Sequence, residues 1–187
     1  MSVTCAYRSR DPEVVKSWTD ATDAIRAYVE ATRAVLEAAG LGGYQVYRDS
    51  HGWRPGHFAG LAIPDGEKPP AGWRMTARYA VPDKRTKAGR QAEAALAAVK
   101  HPGDPLLKLA GMMPDAENGN GAFVSPAVRL LEDGTTVYVG WPACPEGRQS
   151  FLGPRGVTVD LDRWERIPLS TYWLAFEAAD AAKAAAS

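Results

Sequence analysis

The sequence predicts an α+β fold: a mixed or mainly antiparallel sheet packed with a long N-terminal helix, a central helix and a C-terminal helix. Three observations lead there. An unbroken run of helix formers lies between Asp11-Pro12 and Gly40, two β-prone runs flank Asp133-Gly134, and strands elsewhere do not alternate regularly with helices. The last of these disfavours a doubly wound parallel sheet. With 187 residues, 45% of them hydrophobic and 24% charged, the chain has the size and composition of one domain over 1–187, fraying at 1–10 and 181–187.

The elements follow in chain order. Asp11 reads as an N-cap with proline at the first helical position, and Gly40 as the stop. Between them Val14, Trp18, Ile25, Tyr28, Val29, Thr32, Val35 and Leu36 recur at helical spacing. Such a helix measures about 40 Å at 1.5 Å per residue. Tyr44 to Arg48 and Phe58 to Ile63 read as paired strands, joined through the loop Asp49 to Gly56. Trp73 to Val81 reads as a further strand that ends at Pro82. Thr86 caps a second helix reaching about Lys100, with Ala92, Ala95, Leu96 and Val99 as its apolar face. Asp104-Pro105 starts a short helix to about Leu109, and Pro114 to Gly121 forms a polar loop. Val128 to Leu131 and Thr135 to Trp141 form a hairpin about Asp133-Gly134. Beyond the loop Pro142 to Gly156, Val157 to Leu161 alternates as a strand does, and a helix runs from about Ser170 to Ala185.

Lysine plus arginine number 22 and aspartate plus glutamate 22, so no overall field draws the protein to nucleic acid or to an anionic membrane. Any such affinity is local. No stretch approaches the roughly 18 apolar residues of a membrane span, and MSVTCAYRSRDPE lacks the apolar core of a signal peptide. Cys5 and Cys144 match no metal or redox spacing. These features predict a cytoplasmic protein of a reducing compartment, with no membrane partner, no cofactor and no metal.

The local charge is less even. Between positions 68 and 90, Lys68, Arg74, Arg78, Lys84, Arg85, Lys87 and Arg90 face only Asp83. Lys84, Arg85, Thr86, Lys87 and Arg90 put cations and backbone N–H groups at a helix start, where a phosphate or carboxylate is held. The glycine-rich run of a phosphate-binding P-loop is missing. Trp53-Arg54 and Trp73-Arg74 each set an aromatic plane beside a cation, a pairing able to stack on a base and clasp its phosphate. Against both stands the ordinary use of such residues, a solvated turn and rings that anchor loops to the core. His51 and His57 in HGWRPGH are the one place where two imidazoles lie close in sequence, and no third ligand stands near them. His101, before Pro102, reads as part of a turn.

In Pro70-Ala71-Gly72-Trp73-Arg74, Arg85-Thr86-Lys87-Ala88-Gly89-Arg90 and Ile167-Pro168-Leu169-Ser170-Thr171-Tyr172 the chain resembles small accessory proteins of tailed bacteriophages and prophages. The resemblance brings no catalytic residues. It implies a product that binds a host protein, a signalling nucleotide or nucleic acid rather than one that catalyses a reaction. The function expected is therefore non-enzymatic capture of an anionic ligand, such as a nucleotide signal of host defence, by Trp53, Arg54, Trp73, Arg74, Lys84, Arg85, Thr86, Lys87 and Arg90. Two alternatives remain open. One is a protein–protein module, an inhibitor of a host enzyme or a virion assembly component, with the helix at 11–39 as a possible seam between two copies. The other is a small hydrolase using His51 or His57.

Overall fold

The structure, a computed structural model, describes residues 3–49, 56–103, 109–114, 129–132, 134–141 and 157–185. In chain order the elements are β1 (Cys5–Ser9), α1 (Pro12–Ala38), β2 (Gln45–Asp49), β3 (His57–Ala62), β4 (Trp73–Met75), β5 (Ala80–Pro82) and α2 (Lys87–Ala98). β6 (Met112–Pro114), β7 (Arg129–Glu132), β8 (Val137–Trp141), β9 (Val157–Val159), β10 (Glu165–Ile167) and α3 (Leu169–Ala185) follow. The fold is α+β, and every strand pair is antiparallel. The chain divides into two compact units, Met1–Thr22 with Asp104–Ser187 and Asp23–Gly103.

α1 starts and stops as its sequence dictates. The Asp11 carboxylate accepts the Glu13 N–H at 2.8 Å. Gly40 takes a φ of 73°, and the Leu41 N–H returns to the Leu36 carbonyl at 2.8 Å, closing the helix in a left-handed turn that suits glycine. Val14, Ala21, Tyr28, Thr32 and Leu36 are all buried, so the apolar stripe serves the chain's own cores.

In the first unit the strand order is β10-β1-β8-β7, with β6 and β9 paired separately. Residues 1–10, expected to fray, instead hold the inner strand β1. Cys5 and Tyr7 join a cluster with Val14, Leu109, Met112, Val137, Val139 and Trp164, while Ala6 joins Val3, Ile167 and Tyr172 in another. β1 is thus covered on both faces, and the alternation that marks a half-buried strand is missing from CAYRS. α3 packs on this sheet. The Tyr172 ring lies where a side chain on Gly140 would stand, its Cζ 2.7 Å from the Cβ position. Ser9 ties β1 to the far end of the chain, its hydroxyl donating to the Arg163 carbonyl at 2.6 Å.

In the second unit the order is β2-β3-β5-β4. Leu36, Leu41, Leu61, Trp73 and Ala80 form its core, with Ala92 and Leu96 of α2 against it. The strand expected over Trp73 to Val81 is two strands. Thr76 folds the chain back without glycine or proline: its N–H donates to the Tyr79 carbonyl at 2.8 Å and its hydroxyl to the same oxygen at 2.6 Å. Arg48 holds the end of the β2–β3 connection, donating to the carbonyls of Gly56 at 3.0 Å and Val29 at 3.4 Å. Burial lowers its pKa.

The expected strands at 44–48 and 58–63, the helix capped by Thr86, the hairpin about 133–134 and the C-terminal helix all form, within a residue or two. β6 and β10 were not anticipated; each is only three residues long, too short for periodicity to register. The short helix from Asp104-Pro105, the loop from 115 and the loop 142–156 lie outside the described residues.

Candidate functional site

The basic stretch at the start of α2 is organised by its one acid. Asp83 is only 8% exposed, and its carboxylate accepts the Arg85 guanidinium at 2.9 and 2.8 Å and the Arg85 N–H at 3.1 Å. Its backbone bonds to Gly72 at 2.7 Å and to the Thr86 N–H at 2.9 Å. Thr86 caps the helix, its hydroxyl accepting the Gly89 N–H at 2.9 Å. Gly89 is buried because the chain leaves no room beside it: a Cβ there would stand 2.1 Å from the Asp83 oxygen.

The cations are partly spent inside this turn. Arg85 is held by Asp83, Lys84 reaches Glu93 at 2.5 Å, and Arg90 donates to the carbonyls of Lys84 and Arg85 at 3.1 and 3.3 Å. These contacts build the turn and lessen what it offers an anion. Arg74 and Lys87 stay exposed. Trp73, expected to offer its ring to a base, lies in the core instead, edge-on to Phe58 at 6.3 Å. The alternation of β4 sends Trp73 inward and Arg74 outward, so the two side chains lie on opposite faces of the sheet. His51, Trp53 and Arg54 lie outside the described residues.

The hydrogen bonds from Arg85, to the side chain first and the backbone second, lower the Asp83 pKa from 3.8 to about 2. A carboxyl with a depressed folded pKa contributes stability above its unfolded pKa and loses it as the pH falls through the folded one. The melting temperature of the native protein should therefore exceed that of Asp83→Asn at neutral pH, and the gap should close as the pH falls from 3.8 toward about 2. Glu165, whose pKa Arg8 lowers through a hydrogen bond, is common to both proteins and drops out of the difference. A gap that ignores pH would mean that Asp83 acts by shape alone.

A cavity of about 620 Å³ opens elsewhere in the second unit, between α1, β3 and the end of α2. Its walls carry Tyr28, His57 and His101, with Phe58 and Leu96 as apolar surface and Glu93 and Lys100 on α2 and just beyond it. Tyr28 meets His101 edge-on at 4.7 Å and lies nearly parallel to His57 at 6.3 Å; the imidazoles are 5.8 Å apart. The Tyr28 hydroxyl accepts the Phe58 N–H at 3.2 Å. His101 Nδ1 accepts the Gly103 N–H at 3.0 Å.

The sequence paired His57 with His51 and gave His101 to a turn. Folding brings His57 to His101, and no local motif announces a meeting of residues so far apart; His51 lies outside the described residues. Glu93, the one carboxylate on the cavity wall among the described residues, is taken by Lys84. Among the described residues no three His, Cys, Asp or Glu side chains converge as a metal site, and no helix is long and apolar enough to cross a membrane. No protein family, curated protein or solved structure matches the chain.

Proposed function

We propose that the protein is a non-catalytic binding protein that takes a small anionic ligand with a flat ring into the cavity of its second unit. The observation that carries this reading is the make-up of the wall. Two imidazoles, Tyr28 and Lys100 stand beside apolar surface, and the carboxylate among them is already engaged by Lys84. The volume of about 620 Å³ falls within the range of about 300–1,000 Å³ usual for small-molecule sites, which combine apolar walls with a few polar groups. Lys84 thereby links the basic turn to the cavity. The resemblance of three short segments to phage accessory proteins makes host-defence nucleotides the first members of this ligand class to test.

A ligand that binds only the folded state raises its apparent stability. One class among mono-, di- and cyclic nucleotides should raise the melting temperature, and less so at high salt. Lys100→Ala should weaken that binding by at least about tenfold, the effect of losing a hydrogen bond to a charged group. The unliganded variant should melt as the native protein does, because Lys100 is exposed. No shift with any class, or equal binding by Lys100→Ala, would overturn the reading. A protein–protein module then becomes the better account, since Leu174 and Trp173 on α3 are exposed large apolar residues.

A further inference from the structure

The cavity of the second unit carries one anion-repelling group on its wall, and that group's charge is countered from outside the wall. Among the described residues, Glu93 and Lys100 are the lining side chains with a full charge. They are of opposite sign, so by themselves they leave the wall balanced. Lys84 does not line the cavity. It stands in the turn before α2, and its ammonium meets the Glu93 carboxylate at 2.5 Å. Two ammonium groups then stand against one carboxylate.

The backbone at Lys84 is tethered on both sides. The Asp83 N–H donates to the Gly72 carbonyl at 2.7 Å, and the Asp83 carbonyl accepts the Thr86 N–H at 2.9 Å. The Lys84 carbonyl itself accepts the Arg90 guanidinium at 3.1 Å. A fixed backbone narrows the places the ammonium can visit, and the place it takes is beside Glu93. The two side chains are 74% and 41% exposed, and an ion pair so open to water adds little to stability. Its larger effect is on the field at the wall. A ligand touching the wall lies within the screening length of about 8 Å at physiological salt. There a carboxylate without its partner repels an anion, and a paired one does so much less.

We propose that Lys84 is a specificity-determining residue of this cavity: by pairing with Glu93 it lets the wall accept an anion, without touching the ligand itself. The inference rests on the cavity as the binding site. Lys100 meets the ligand's charge directly, whereas Lys84 acts through Glu93. The basic turn therefore serves the site by cancelling a charge and not by holding a phosphate.

The test is isothermal titration calorimetry with AMP, ADP, cyclic AMP and the corresponding guanine nucleotides. It is run at one pH, so that His57, His101 and Tyr28 on the same wall are common to every variant. For the nucleotide that the native protein binds, Lys84→Ala should weaken binding at least about fivefold, the effect of one uncompensated charge at a partly solvated wall. Adding Glu93→Gln to Lys84→Ala should restore binding to within about twofold of the native protein, because the repelling charge has gone with its partner. Lys84→Arg, which keeps the ion pair, should also stay within about twofold. A melting curve confirms that each variant is folded. Equal binding by Lys84→Ala would overturn the proposal. So would a loss that Glu93→Gln fails to rescue, since Lys84 would then be holding the ligand itself. Both outcomes leave the cavity reading standing; a native protein that binds none of these nucleotides removes that reading and this inference with it.

Discussion

Replacing Gly89 by alanine is expected to cost the protein more than about 3 kcal/mol of stability, although alanine is the better helix former by about 1 kcal/mol. The sign is decided by space. The new Cβ would stand 2.1 Å from the Asp83 oxygen, 2.6 Å from the Asp83 carbonyl carbon and 2.6 Å from the Gly72 oxygen. All three are backbone atoms, which no rotamer change can move aside. Relief requires pulling α2 away from the turn that Asp83, Arg85 and Thr86 hold together. Gly43→Ala is the control, because a Cβ there meets nothing within 4 Å. That change should be neutral or stabilise by up to about 1 kcal/mol. Urea unfolding followed by far-ultraviolet circular dichroism distinguishes the two, and a Gly89→Ala protein as stable as the native one would show that this packing is softer than described.

Trp164→Ala is expected to cost about 3–5 kcal/mol, the usual range for removing a large buried aromatic ring. Trp164 is 2% exposed and belongs to the cluster that joins Cys5 and Tyr7 of β1 to Val137 and Val139 of β8. Its indole N–H also donates to the Ala110 carbonyl at 3.2 Å. Trp164→Phe should lose less, since it keeps most of the ring volume and gives up the hydrogen bond. The same unfolding experiment checks both, and a loss below about 1 kcal/mol for the alanine variant would mean that the cluster repacks around the space.

The elements legible in the sequence are those whose signals are local. Asp11-Pro12 and Gly40 bound α1, Thr86 caps α2, and Asp133-Gly134 marks the hairpin of β7 and β8, because caps and tight turns are decided by residues a few positions apart. β1 was not legible for the opposite reason. Its residues contact both faces of a buried sheet, and its partners Val137–Trp141 and Glu165–Ile167 lie more than a hundred residues away. The break between β4 and β5 was hidden because a threonine hydroxyl makes the turn.

The candidate site was legible only as a tally of charges. Lys84, Arg85 and Arg90 look alike in sequence, but their contacts with Glu93, Asp83 and two carbonyls separate them from Arg74 and Arg78. The stacked pair of Tyr47 and Tyr79 depends on Gly60, whose meaning appears only when Tyr79 is seen to lie over it. The meeting of His57 with His101 is likewise a property of the fold.

The position of β1 between β8 and β10 has a consequence for how the protein is made. On a ribosome β1 emerges before β8 and β10 and must wait for both. Arg8 and its ion-pair partner Glu165 are separated by 157 positions, about 8–30 s of synthesis at roughly 5–20 residues per second. Residues 23–103 form a continuous stretch and have every strand of their sheet in hand long before that. During the interval Cys5, Ala6 and Tyr7 present an unpaired apolar edge to the cell, which makes the nascent first unit the part of the chain most dependent on a chaperone.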